Sequence, residues 1–61
     1  MNFMEQLSRD MRESAKRAVE NLDGAQVRTV MIEVLDTSED PHLMGQIEKS
    51  AHKILRFQGA S

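Results

Sequence analysis

Residues 25–36, AQVRTVMIEVLD, decide the fold of this chain because their composition and their spacing indicate different structures. Five of them are β-branched, among them Val27, Thr29 and Ile32, and such residues favour strands. The apolar residues nevertheless follow the i, i+3, i+4, i+7, i+8 pattern of an amphipathic helix. This pattern consists of Val27, Val30, Met31, Val34 and Leu35.

A strand explains the same stretch less well than a helix does. Both faces of a strand would mix charged and apolar side chains, with Glu33 on one face and Arg28 and Asp36 on the other. The chain has no second candidate strand, so a strand here would have to pair with another molecule. We therefore predict a helix over residues 24–36. The alternative is an α-β-α fold with an intermolecular two-stranded ribbon formed by residues 26–35.

The segment before this stretch predicts a first helix over residues 3–22. Its apolar residues recur at three- and four-residue steps and form a stripe about 120° wide. The stripe contains Met4, Leu7, Met11, Ala15, Ala18, Val19 and Leu22. Asp23 and Gly24 then mark a turn. Asp23 is predicted to be the N-cap of the second helix, with Gln26 as its capping-box partner.

The segment after the stretch predicts a third helix over residues 41–58. Asp40 suits the N-cap, and Pro41 suits the first helical position, where a missing N–H costs nothing. Gly59 is expected to adopt a left-handed conformation just after the helix. The apolar stripe contains Leu43, Met44, Ile47, Ala51, Ile54 and Leu55. The sequence thus predicts an all-α fold, a bundle of three short amphipathic helices in a single domain over residues 1–61.

The length and composition of the chain favour association with another copy. A domain of 61 residues buries only about 60% of the surface that its unfolded chain exposes. Such small domains usually need a disulfide, a metal or a partner subunit. There is no cysteine, which excludes disulfides and zinc–thiolate sites, and the aromatic residues are two phenylalanines. Oligomerisation is therefore the expected source of additional stability.

The same features predict a cytoplasmic location and no membrane association. The absence of cysteine fits a reducing compartment. Charged residues occur too early for the apolar core of a signal peptide, and no apolar run approaches the roughly 20 residues that span a bilayer.

The second helix carries more apolar surface than a three-helix monomer can cover. Ile32 lies outside the main stripe and widens the apolar arc to roughly 200°. The simplest explanation is a homodimer formed around a two-fold axis, the commonest symmetry of small oligomers. The predicted dimer interface contains Val27, Val30, Met31, Ile32, Val34 and Leu35.

Charge is distributed unevenly along the chain, although the net charge is only −2. Residues 23–40 are acidic and residues 41–61 are basic, and opposed patches of this kind can orient a partner. Lys49, Lys53 and Arg56 recur at i, i+4 and i+7, on one side of the third helix. This stripe raises an alternative function, a dimeric DNA-binding transcriptional regulator. The acidic balance and the scarcity of base-reading side chains beside the stripe disfavour nucleic acid.

The sequence offers little for catalysis, metal binding or cofactors. Glu48 and His52 form a single E-x-x-x-H pair, which lacks the further ligands of a zinc site. The serines have no histidine–acid arrangement, and the glycines do not form a phosphate-binding loop. We therefore expect a non-enzymatic interaction module or regulator that binds an unidentified protein partner. Small helical chains of this kind are common among accessory proteins of phages and plasmids.

Overall fold

A computed structural model describes residues 2–59, and these form three helices. They are α1 (Phe3–Glu20), α2 (Ala25–Thr37) and α3 (Pro41–Gly59). Within residues 2–59 there is no strand, so the all-α prediction is confirmed. The alternative ribbon is wrong, because residues 26–35 lie entirely within α2.

The start of α3 agrees with the prediction, but the start of α2 does not. α3 begins at Pro41, and the Asp40 carboxylate accepts a hydrogen bond from the backbone N–H of His42 at 3.0 Å, as expected of an N-cap. The prediction for Asp23 is wrong: α2 is capped by Gly24, which has φ 114° and forms no side-chain cap. Gly59 is the last residue of α3 and does not have the predicted left-handed conformation.

Instead of capping α2, Asp23 connects the end of α1 to the end of α3. Its backbone N–H donates to the Gln58 side-chain oxygen at 2.9 Å, and its carbonyl accepts from the Gln58 amide at 3.0 Å. About two helical turns from the start of α3, Glu48 accepts a hydrogen bond from Ser14. Both contacts pair residues about 34 positions apart. α1 and α3 therefore run parallel, and α2 returns between their ends.

The core lies mainly between α1 and α3, while α2 packs chiefly on α1. Its fully or almost fully buried side chains are small for the most part, and neither phenylalanine is among them. They are Ala15, Ala18, Val19, Leu22, Leu35, Met44 and Ala51. Small side chains allow two helices to approach closely, but they bury little apolar area. The three helices therefore enclose a thin core.

Gly45 marks the close approach of α3 to α1. A Cβ atom added there would lie 3.2 Å from the terminal methyl group of Met11. We predict that Gly45→Val forces the two helices apart and lowers the free energy of unfolding by about 1–3 kcal/mol, as overpacking does. Urea unfolding measures this loss.

Two further variants show whether the loss comes from the contact itself. In a Met11→Ala background the same substitution should cost less, because the methyl group it meets has been removed. Gly59→Val is the matched control, since none of the described atoms lies within 4 Å of its Cβ position. Equal losses at both glycines would mean that the cost comes from the helix backbone and not from the α1–α3 contact.

Candidate interaction surfaces

One side of α2 exposes a row of valines. Val27, Val30 and Val34 are 43%, 59% and 37% exposed. Steps of three and four residues place them on one side of a helix. With a rise of 1.5 Å per residue, the distance from Val27 to Val34 along the helix is about 10 Å. We call these three residues the valine row.

The other apolar residues of α2 belong to the core of their own subunit. Leu35 is 0% exposed, and Met31 and Ile32 are partly buried against the core cluster. The expectation that Ile32 lies outside the intrachain stripe is therefore wrong. Of the predicted dimer interface, Leu35 has no surface to offer a second chain, whereas the valine row is available.

Polar contacts fix this rotation of α2. Arg12 of α1 donates from Nε to the Leu35 carbonyl at 2.9 Å and from Nη2 to the Ser38 carbonyl at 2.8 Å. At the opposite end of α2, Arg28 donates from Nη1 to the Leu22 carbonyl at 2.6 Å. Arg12 thus satisfies carbonyls at the end of α2, and Arg28 satisfies one in the turn between α1 and α2. The valine row is consequently turned away from α1.

The accessible surface of the subunit is larger than that of a compact monomer of its size. The chain exposes 4589 Å². A folded monomer of 6.9 kDa is expected to expose about 4,000 Å². The difference is consistent with its elongated form, 44 × 18 × 14 Å.

The basic stripe of α3 is exposed, as its spacing predicts. Lys49, Lys53 and Arg56 are exposed on one side of the helix and, with His52 and Leu55, line a shallow depression. We call Lys49, Lys53 and Arg56 the basic face. Within residues 2–59 none of the three forms a salt bridge. Its cations are therefore available to an anionic partner.

The acidic segment at the end of α2 is largely used within the fold. Asp36 pairs with Lys16 of α1 at 2.5 Å, the only salt bridge in the described part of the chain. Asp40 caps α3. Glu33 and Glu39 remain exposed. Part of the acidic half of the predicted charge asymmetry is therefore used within the fold, and part remains exposed.

The residues considered for metal binding and nucleophilic chemistry are not brought together. Glu48 accepts a hydrogen bond from Ser14, across the α1–α3 interface. Among residues 2–59 no three His, Asp or Glu side chains are grouped as metal ligands would be. In the same residues, no helix has the length and apolar character of a membrane span.

Comparison of the chain with protein-family models, with curated proteins and with solved structures finds no match. The valine row and the basic face are therefore the features from which a function can be argued.

Proposed function

We propose that this protein is a non-enzymatic helical interaction module that forms a homodimer through the valine row of α2. The observation that carries the proposal is the exposure of Val27, Val30 and Val34 on a helix whose other large apolar residues are buried or partly buried against the core. A contiguous apolar row is more informative than scattered exposed residues.

A second copy is the occupant that fits the size of the subunit. Its core contains few large side chains, and its surface exceeds that of a compact monomer. Burying the valine row between two copies would add buried apolar area to a fold whose own core provides little. A two-fold axis near Val30 would bring two α2 helices together with their rows in contact. Val30 is the middle and most exposed member of the row, so it would lie closest to the axis.

Substitution of Val30 by lysine tests this proposal. The parent should sediment as a dimer at micromolar concentration, and its melting temperature should rise with concentration. Val30→Lys should weaken dimerisation by about 100-fold or more, because it would bury an unpaired charge from each copy near the axis. The isolated subunit should keep its helical circular dichroism at low temperature, since residue 30 lies outside its core.

Thr29→Lys provides the matched control. Thr29 is exposed on α2 but lies on a different side of the helix from the valine row, and the substitution adds the same charge to the same helix. The dimer should persist in this variant. A parent that remains monomeric, with melting independent of concentration, would refute the homodimer.

A further inference from the structure

The basic face of α3 combines unpaired cations with an apolar contact at its edge. Lys49, Lys53 and Arg56 span about 10 Å along the helix. Leu55, which is partly exposed, lies in the same depression. The neighbouring carboxylate of Glu48 is hydrogen-bonded to Ser14 of α1. The site thus offers positive charge beside a small apolar contact at its edge, and no described acidic residue neutralises that charge in a salt bridge.

We propose that the basic face binds an acidic amphipathic helix of a partner protein. Carboxylates at i, i+4 and i+7 of such a helix would have the same spacing as the three cations, and an apolar side chain beside them would contact Leu55 at the edge of the face. Complementary charges would orient the partner helix and increase its rate of association, and the apolar contact would add affinity. That the partner is a protein rests on the interaction function proposed above. Partner binding would use α3 and dimerisation would use α2, so a variant can lose one and keep the other.

The same features favour a protein helix over duplex DNA. DNA binding depends on phosphate contacts, and the basic face provides three cations on a chain with net charge −2. An apolar contact contributes nothing to phosphate binding but is suited to an amphipathic helix.

A designed peptide serves as the probe. It is a fluorescein-labelled helical peptide with glutamates at i, i+4 and i+7 and a leucine on the same side, and its fluorescence anisotropy is measured with the full chain. We expect Lys49→Gln/Lys53→Gln to weaken binding by about tenfold at low salt, because two charge pairs are lost. Binding of the same peptide with glutamines in place of the glutamates should be equally weak.

Arg9→Gln/Arg17→Gln is the control, because it removes the same charge from exposed positions of α1. It should change binding of the peptide less than threefold. Equal weakening by both double variants would show attraction to overall charge and overturn the proposal. Two other results would also overturn it: absence of peptide binding, or tighter binding of a DNA duplex that the α3 variant abolishes. Sedimentation of the α3 variant shows separately whether the dimer persists.

Discussion

Leu35→Ala is expected to destabilise the subunit by about 2–5 kcal/mol, the range found when a fully buried leucine is truncated. Leu35 is 0% exposed and is one of the few large side chains in the core. A domain of 61 residues has a total stability of about 3–9 kcal/mol. The substitution should therefore remove a large fraction of that stability and lower the melting temperature by about 10 °C or more.

Thermal unfolding followed by circular dichroism measures the effect, with Glu33→Ala as the control. Glu33 lies two residues earlier on α2 and is exposed, so its truncation should change stability by no more than about 0.5 kcal/mol. If Leu35→Ala melts like the parent, Leu35 does not occupy the core, and the rotation of α2 described above is wrong.

The positions of the helices could be predicted from the sequence because local signals determine them. Apolar periodicity identified all three helices, and Asp40 with Pro41 marked the start of α3. Asp23 gave an equally good local signal and failed. Its backbone N–H and carbonyl are occupied by Gln58, 35 positions away, and no local pattern reveals such a contact.

The rotation of α2 could not be predicted for a related reason. An apolar arc of roughly 200° is wider than the surface that the neighbouring helices cover, so periodicity cannot say which part of the arc faces inward. The contacts of Arg12 with the end of α2 and of Arg28 with the turn before α2 accompany one rotation of the helix, which the sequence pattern does not reveal. In this rotation Ile32 packs against the core and Val30 is exposed.

The two candidate surfaces differ in how far the sequence predicts them. The exposure of the basic face follows from its spacing, because Lys49, Lys53 and Arg56 lie opposite the apolar stripe of α3. The valine row could not be recognised from the sequence. It is defined by the structure, which shows which apolar residues of α2 are packed against the core.

The second large effect is expected at Arg12. Its two hydrogen bonds join α1 to the last carbonyls of α2, at Leu35 and Ser38. Arg12→Met keeps most of the side-chain stem, so that packing is retained while both hydrogen bonds are lost. Hydrogen bonds from a charged donor contribute about 1.5–3 kcal/mol each, and part of the loss is recovered when water reaches the carbonyls. We expect a decrease of about 2–4 kcal/mol in the free energy of unfolding.

A graded series of variants distinguishes the shape of the guanidinium group from its charge. Arg12→Lys keeps the charge but presents one ammonium group in place of a planar fork, so it should lie between the parent and Arg12→Met in stability. Arg17→Met removes a charge from an exposed position of the same helix and should cost no more than about 0.5 kcal/mol. Urea unfolding at low and high salt completes the measurement. If Arg12→Lys is as stable as the parent, or if high salt abolishes the difference between the parent and Arg12→Met, then charge and not the paired hydrogen bonds holds α2 in place.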